Sequence, residues 1–294
     1  MSIISLHVEP SSHCNARCPG CPRNGYGYPL QGFFEEKHID IGKYERILGS
    51  YPEVKEILFC GNHGDPMMNP DIAQLCSKKN IHYTIATNGG IGRLETYETL
   101  AAKGVVITFG IDGLEDTNHL YRQGVKWRNL MDRVKTFINK GGKAQWQFIK
   151  FKHNMHQVEK ARIMSEELGF MDFSTLDVGR NNMPAIQPDK SISHWILPPE
   201  EDAQPYDFDV DEYLNMRYNP YYLGKSKCKV SDISCEHLNG MVYVNSSGEV
   251  FPCCYQGFGH VDRPKVFLED FKKLQDTWET DQCDEVCAGS CGAP

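Results

Sequence analysis

Three closely spaced cysteines near the start of the chain are the clearest candidates for chemistry in this sequence. Cys14, Cys18 and Cys21 follow a C-x3-C-x2-C spacing, directly after a short apolar segment. Iron–sulfur clusters are held by cysteine thiolates, and short loop spacings bring such thiolates together. Three thiolates leave one iron of a four-iron cluster open, and an open coordination position is typical of catalytic metal sites. A zinc site and redox-active thiols are the alternatives, although zinc normally takes four ligands in paired spacings.

A second group of cysteines lies near the end of the sequence. Of the 12 cysteines in the chain, seven fall between Cys228 and Cys291. Cys235, Gly248 and Cys253 are spaced C-x12-G-x4-C, which predicts a hairpin that turns at Gly248 and brings two cysteines to one metal. The other candidate ligands are Cys228, Cys283, Cys287 and Cys291. A zinc ribbon is the alternative for this group.

Polar, glycine-containing turns follow several apolar segments between the two cysteine groups. The candidate binding residues in and near these turns are Gly64, Asp65, Pro66, Thr87, Asn88, Asp112, Arg122 and Gln147. Arginine suits a carboxylate ligand because its guanidinium can donate two parallel hydrogen bonds. Each turn is ordinary by itself. Their occurrence in order, each after a predicted strand, favours a shared binding site.

Alternating strands and helices must position these residues. Six strand-like runs are predicted in residues 1–177, at Ile3–Val8, Glu56–Cys60, Ile81–Ala86, Val105–Ile111, Gln145–Phe151 and Phe170–Leu176. Helical periodicity between them is clearest from Trp127 to Ile138. This alternation predicts an α/β fold with a parallel sheet, in which the carboxyl ends of the strands gather around one site.

Residues 178–227 are predicted to be an irregular linker or insertion, with a short helix near Asp211–Met216. Residues 228–294 are predicted to form a small carboxyl-terminal domain around the second cysteine group. It would begin with a hairpin whose strands, Met241–Asn245 and Glu249–Pro252, flank the turn at Gly248.

The amino-terminal cysteine loop resembles the signature of the radical S-adenosylmethionine (SAM) superfamily, at its usual place after the first strand. The resemblance implies a partial (β/α)6 barrel and a four-iron cluster on Cys14, Cys18 and Cys21. In that family one electron from the reduced cluster splits SAM, and the resulting 5′-deoxyadenosyl radical abstracts a hydrogen atom from the substrate. Many members carry an aromatic residue before the third cysteine, where this chain has Gly20.

The resemblance also suggests roles for the turn residues. Gly64-Asp65-Pro66 is similar to the family's Gly-Gly-Glu-Pro segment, which receives the ammonium group of SAM. The segments around Thr87-Asn88, Asp112 and Arg122 are similar to those that contact its ribose or carboxylate, and Gln147 is a further candidate. Cys60 is either a small core residue or a thiol that returns a hydrogen atom to a substrate radical.

The second cysteine group resembles the SPASM or twitch extension found on many radical SAM enzymes. The C-x2-C-x5 part of the full SPASM pattern is missing, which favours one auxiliary four-iron cluster over two. The candidate ligands of that cluster are Cys228, Cys235, Cys253, Cys283, Cys287 and Cys291.

The bulk composition restricts the surroundings of the protein. With 31 basic against 39 acidic residues, the net charge of −8 gives no footprint for a nucleic-acid polymer or an anionic membrane. The first residues lack a signal-sequence pattern and no apolar run approaches membrane-spanning length, so a cytoplasmic protein is expected. Clustered cysteines in the reducing cytosol favour metal binding over disulfides.

The leading hypothesis is a radical SAM enzyme that abstracts hydrogen from a peptide or protein, giving oxidation, cross-linking or epimerisation. A radical dehydrogenase of a small alcohol, sugar or nucleotide-like molecule is the second hypothesis. A non-catalytic zinc-binding module is the alternative from another class. The enzyme hypotheses also imply a reducing partner such as flavodoxin or ferredoxin.

Overall fold

One large sheet organises the chain in the computed structural model, which describes residues 3–27, 35–177, 182–200, 202–215, 240–251, 253–254 and 257. The strands are β1 Ser5–Val8, β2 Glu56–Phe59, β3 His82–Thr87, β4 Val106–Gly110, β5 Lys143–Ile149, β6 Asp172–Leu176, β7 Met183–Ile186, β8 Ile192–Ile196, β9 Met241–Val244 and β10 Val250–Phe251. The helices are α1 Ile41–Ser50, α2 Ile72–Leu75, α3 Leu94–Ala102, α4 Asn118–Tyr121, α5 Trp127–Asn139, α6 Val158–Leu168 and α7 Val210–Asn215.

The sheet has eight strands in the order β10-β9-β1-β2-β3-β4-β5-β6. Strands β1 to β6 are parallel and lie in chain order, each joined to the next by a connection that contains helix. All six strands coincide with predicted ones to within two residues at every end. The predicted α/β fold, a partial barrel of six parallel strands, is confirmed, and the carboxyl ends of these strands share one edge.

The core lies between the sheet and the helices that cover it. The largest fully buried side chains include Trp146 on β5, Phe109 on β4 and Phe59 on β2. The buried face of α5 packs toward them and forms an apolar stripe of Leu130, Met131, Val134 and Phe137. Burying a side chain of this size contributes about 1.5–3 kcal/mol, so the stripe fixes α5 against the sheet and fixes the loop that precedes it.

The hairpin predicted around Gly248 is present and extends the main sheet. Strand β9 pairs with β1 in parallel, with Ser5 opposite Met241, and β10 returns antiparallel to β9. Gly248 has φ +73°, a conformation that favours glycine. The described start of the predicted carboxyl-terminal domain therefore belongs to the same sheet as the cysteine loop.

The stretch predicted to be irregular, 178–227, contains a two-stranded antiparallel sheet of β7 and β8 as well as the expected helix, α7. The irregular interpretation misses this hairpin because two prolines, Pro184 and Pro188, obscure its strand pattern. The hairpin contacts the barrel through the Ile186 N–H, which donates to the Tyr26 carbonyl at 2.9 Å. Among the described helices, none is long and apolar enough to span a bilayer.

Candidate active site

A cleft of about 350 Å³ opens at the carboxyl ends of β1 to β5. Its walls combine the cysteine loop after β1 with the turns after β2 and β3 and with side chains from β4 and β5. The predicted site residues that line it are Cys14, Cys18, Cys21, Cys60, Gly64, Asp65, Thr87, Asn88, Arg122 and Gln147. One edge of the sheet thus gathers residues that are more than 100 positions apart in the chain.

The cysteine loop is held by hydrogen bonds on both of its sides. The Cys14 sulfur accepts from the Ala16 N–H at 3.4 Å and from Asn88 Nδ2 at 3.8 Å. Donors of this kind stabilise a thiolate ligand. Beyond the third cysteine, the buried Arg23 donates to the carbonyls of Ser12 and His63 and to Glu36. Arg23 therefore ties the loop to the segment after β2.

The donor set of the cysteine loop suits an iron–sulfur cluster. Cys14, Cys18 and Cys21 all line the same cleft, and cysteine thiolates are the ligands that hold such clusters. Three thiolates leave one iron of a four-iron cluster open, which is typical of a catalytic metal site and not of a closed structural one. Burial, with Asp65 nearby, raises the pKa of the Cys14 thiol, so metal binding here must release protons.

Asp65 joins the turns after β2 and β3. Its buried carboxylate accepts from the Thr87 hydroxyl at 2.8 Å, from the Asn88 N–H at 2.8 Å and from the Met67 N–H at 2.9 Å. Burial raises the pKa of Asp65, and these donors oppose that shift. Most of its accepting capacity is used inside the protein, so the carboxylate fixes the cleft wall.

The turn that contains Gly64 packs against the backbone of the cysteine loop. A Cβ atom on Gly64 would lie 1.9 Å from the Ser11 carbonyl oxygen, so no larger residue fits. The buried carboxylate of Glu9 accepts from the His63 N–H at 2.6 Å and from the Gly64 N–H at 3.1 Å. This turn is therefore clamped between β1 and the cysteines.

The Arg122 side chain passes over Gly110 to reach the cleft and is held by the buried carboxylate of Asp112. Its Nε donates to Asp112 Oδ2 at 2.6 Å, and Asp112 Oδ1 accepts from the Ile149 N–H at 2.7 Å. A Cβ on Gly110 would lie 2.5 Å from an Arg122 nitrogen. Burial is the largest single influence and disfavours the guanidinium charge, but Asp112 and Cys18 together outweigh it and raise the pKa of Arg122. The terminal nitrogens are thereby presented toward the cleft.

Two predicted binding residues do not line the cleft. Asp112 is fully buried behind Arg122, so its position suits it to orienting that side chain. Pro66 is buried in the short 3-10 turn Pro66–Met68, which Asp65 caps. Gln147 and Asn88 do line the cleft, and Asn88 Nδ2 also donates to Asn15 Oδ1 at 3.0 Å.

The hairpin brings two cysteines of the second group to the same edge of the sheet. Cys253 and Cys254 follow β10 after one intervening residue, and Asn62 Nδ2 donates to the Cys254 carbonyl at 2.7 Å. Cys60 lines the cleft. Burial, followed by the nearby Cys254, raises the pKa of the Cys60 thiol to about 12, so this thiol keeps its proton at neutral pH. The other predicted ligands, Cys228, Cys235, Cys283, Cys287 and Cys291, lie outside the described residues.

Glu9 and Arg23 belong to the site although no sequence motif singled them out. Glu9 Oε2 accepts from the Tyr243 hydroxyl at 3.1 Å, so Glu9 links the turn at Gly64 to the carboxyl-terminal hairpin. The sequence does contain one signal for Glu9, which is a charged residue directly after the predicted strand that leads into the cysteine loop. Its partners on β9 are more than 230 residues away and leave no local pattern.

Several known proteins are similar to this chain. The AdoMet-dependent heme synthase of Nitratidesulfovibrio vulgaris is 21% identical over an alignment that covers 97% of this chain and 82% of that one. The structure of Streptococcus suis SuiB bound to S-adenosylmethionine shares 20% identity with a TM-score of 0.60, over 95% of this chain. This chain spans 66% of the SuiB chain, about two thirds. AnSMEcpe with bound AdoMet and the Cp18Cys peptide shares 15% identity with a TM-score of 0.55, over 98% of this chain and 90% of that one.

The solved structures share the fold of this chain. The decisive match is to the sequence family. The model of the Radical SAM superfamily matches residues 8–159, which is more than half of the chain and includes every cleft-lining segment from the cysteine loop to β5. The chain therefore belongs to the Radical SAM superfamily and is a radical SAM enzyme.

Proposed function

We propose that this enzyme cleaves SAM reductively and abstracts a hydrogen atom from a peptide or protein substrate, giving oxidation, cross-linking or epimerisation. The observation that carries this proposal is the cleft in which three cysteines face the turns after β2 and β3 and the guanidinium of Arg122. When bound, the cluster and SAM supply the 5′-deoxyadenosyl radical that starts the chemistry.

The protein's own residues have separate tasks in this scheme. Cys14, Cys18 and Cys21 would hold the cluster. Arg122, oriented by Asp112, has the donor geometry to bind a carboxylate such as that of SAM. The Gly61–Gly64 turn would meet the ammonium group with backbone carbonyls, while Asp65 keeps that turn and the Thr87–Asn88 turn in register. Gln147 lies deeper on β5, where it would contact the remainder of the cofactor.

We assign residues 228–294 to a SPASM- or twitch-like domain with one auxiliary four-iron cluster, residues 1–177 to the barrel and residues 178–227 to an insertion. The contact of Cys254 with Asn62 at the lip of the cleft supports a position for Cys253 close to the reaction site. There an auxiliary cluster would take an electron from the substrate or help to seat it.

A peptide substrate is supported by the size of the cleft. A volume of about 350 Å³ lies at the low end of small-molecule pockets, so one cofactor-sized molecule fills it. A substrate must then reach the radical through the open mouth, as an extended chain can do. The structures of SuiB bound to its precursor peptide SuiA and of anSMEcpe with a bound peptide have this same fold.

A small-molecule substrate is the second candidate. It is favoured by the similarity to the AdoMet-dependent heme synthase, which extends over nearly the whole of this chain. Incubation with deuterated substrates discriminates between the two candidates. Transfer of deuterium from a peptide into 5′-deoxyadenosine supports the peptide proposal, and transfer only from small molecules contradicts it.

The central test uses anaerobically reconstituted protein with dithionite and SAM. We expect roughly eight irons per chain, of which about four are lost in Cys14→Ala, Cys18→Ala and Cys21→Ala, together with all 5′-deoxyadenosine formation. Cys76→Ala is the matched control, because Cys76 is buried at the end of α2, away from the cleft. Stoichiometric zinc without SAM cleavage would support the zinc-module alternative and overturn the proposal.

The proposed role of Cys60 as a hydrogen-atom donor has a separate test. If the Cys60 thiol returns a hydrogen atom to the substrate radical, it becomes a thiyl radical, which one electron from the reducing partner and one proton from solvent would restore to the thiol. One solvent-derived deuterium then enters the product in D₂O, because thiols exchange rapidly with solvent. Cys60→Ala should then lose that label while still forming 5′-deoxyadenosine. Retention of the label in Cys60→Ala would rule this role out.

A further inference from the structure

Three loops, one of them the cysteine loop, pack together around Asn15, next to the proposed cluster. Arg17 N–H donates to the Gln123 carbonyl at 2.9 Å, which joins the loop after β1 to the loop after α4. A Cβ on Gly124 would lie 2.7 Å from the Asn15 carbonyl oxygen, and one on Gly90 would lie 2.6 Å from Asn15 Nδ2. Asn15, the neighbour of Cys14 in the chain, is therefore in contact with both other loops.

The charge of these loops is opposite to that of the whole protein. The segments 14–22, 88–93 and 122–128 contain five basic residues and no Asp or Glu, in a chain with a net charge of −8. Arg122 is turned inward and paired with Asp112. The other four, Arg17, Arg93, Lys126 and Arg128, form what we call the basic rim. Arg93, Lys126 and Arg128 are exposed, and Arg17 is half-buried.

The interior of the cleft does not account for the basic rim. Of its four members, none lines the cleft, so they have no part in holding the cofactor. Helix α5 begins at Trp127, so two of the cations lie at a helix amino terminus, where positive side chains are unfavourable. Cations that neither fill the cleft nor stabilise their helix are suited to an external, negatively charged partner.

We propose that the basic rim is the docking surface for an acidic one-electron carrier protein, such as a flavodoxin or ferredoxin, that reduces the cluster. This inference rests on the proposed function, because reductive cleavage of SAM consumes one electron that must enter from outside. The carrier loses one electron and the cluster gains it, with no bond made or broken. The rim is suited to this transfer because its loops contact Asn15, one residue from Cys14, so a carrier docked there lies close to the cysteine loop that would hold the cluster.

Such a contact should be small, weak and steered by charge. Electron-transfer complexes bury little surface, and clusters of charge raise association rates by roughly 10- to 1000-fold at low salt. Because none of the four rim residues lines the cleft, a carrier docked on them leaves the cleft to the substrate. The enzyme could therefore be reduced with substrate already bound.

The test reverses the charge of two rim residues. Lys126→Glu/Arg128→Glu changes the net charge by −4, and both side chains are exposed, so folding should be retained. The matched control is Lys79→Glu/Lys143→Glu, which makes the same change at exposed positions beside the amino ends of β3 and β5. The first readout is the Kd of oxidised flavodoxin for each protein at low ionic strength, measured by fluorescence anisotropy.

We expect the Kd to rise about tenfold in the rim variant and to change less than twofold in the control. The second readout is the second-order rate of cluster reduction by reduced flavodoxin, which should fall in parallel, while 5′-deoxyadenosine formation with excess dithionite is unchanged. Equal effects in both variants, or none in the rim variant, would overturn the docking surface. Failure of wild-type protein to cleave SAM with dithionite would instead overturn the proposed function.

Discussion

Replacing Asp112 by Asn tests whether one buried carboxylate prepares the cleft for its cofactor. Asp112 is 0% exposed, and its two oxygens accept from different donors, Arg122 Nε and the Ile149 N–H. Asparagine has the same shape but only one accepting oxygen, so one donor must face an NH₂ group. The substitution also leaves the Arg122 guanidinium, whose side chain is 19% exposed, without its counter-charge.

The size of the effect follows from this burial. Removing one partner of a buried ion pair costs about 3–5 kcal/mol. Because Arg122 borders a water-accessible cleft, we expect the lower end, about 3 kcal/mol in the free energy of unfolding. For a chain of this size that corresponds to a fall in Tm of roughly 6 °C. Arg122 should also lose its fixed orientation, so the affinity for SAM should fall about tenfold or more.

The assay is thermal unfolding of the metal-free protein together with SAM binding to the reconstituted protein. Asp116→Asn is the matched control, because it removes the same charge from an exposed residue in the same loop. The control should change Tm by less than 2 °C. If Asp112→Asn kept the wild-type Tm and SAM affinity, the assignment of Asp112 as the residue that positions Arg122 would be wrong.

Three further substitutions test other parts of the structure. Gly64→Ala should destabilise the protein by about 1–3 kcal/mol or more and disorder the cleft, because its Cβ would overlap the Ser11 carbonyl. Tyr243→Phe should cost about 1.5–3 kcal/mol, because Glu9 loses a buried donor, and hydrogen exchange of β9 should accelerate. His153→Gln should reduce the loss of stability at low pH. Burial lowers the pKa of His153 from 6.5 to about 4, and His194 and other histidines add to that shift.

The sign of the His153 effect follows from proton uptake. Between pH 6.5 and about pH 4 the unfolded chain binds a proton that the folded protein refuses, so stability falls with decreasing pH by at most about 1.4 kcal/mol per unit. In the described structure neither ring nitrogen of His153 has a hydrogen-bond partner. If the variant and the wild type lost the same stability between pH 6.5 and pH 4, His153 would not be the group responsible. The matched controls are Gly49→Ala, Tyr51→Phe and His82→Gln, at positions with open space, a half-buried ring and an exposed ring.

Much of the fold was predictable because its signals are local. The six parallel strands and the helix over Trp127–Asn139 follow from apolar periodicity, which depends only on neighbouring residues. The hairpin at Gly248 follows from its turn. The β7–β8 hairpin was missed, because prolines on a two-stranded sheet look like a loop until a partner strand is known.

The sequence by itself determined that three cysteines lie in one short loop after the first strand, and that polar turns end the next strands. Spacing along the chain fixes such features, because residues a few positions apart cannot separate in space. Only the tertiary structure decided which polar residues face the cleft. Asp112 lies behind Arg122, and the Asp65 carboxylate accepts hydrogen bonds from its neighbours. Both carboxylates are buried, because strands that are distant in the chain pack around them.

The tertiary structure also decided how the two ends of the chain meet. Pairing of β1 with β9 brings Tyr243 to Glu9 and the Cys254 carbonyl to Asn62, across more than 190 residues. No local pattern encodes this contact, since strand pairing depends on which edges remain exposed after the rest of the sheet has formed. The sequence therefore determines the cysteine loop, whereas the pairing of β1 with β9 determines which residues surround that loop.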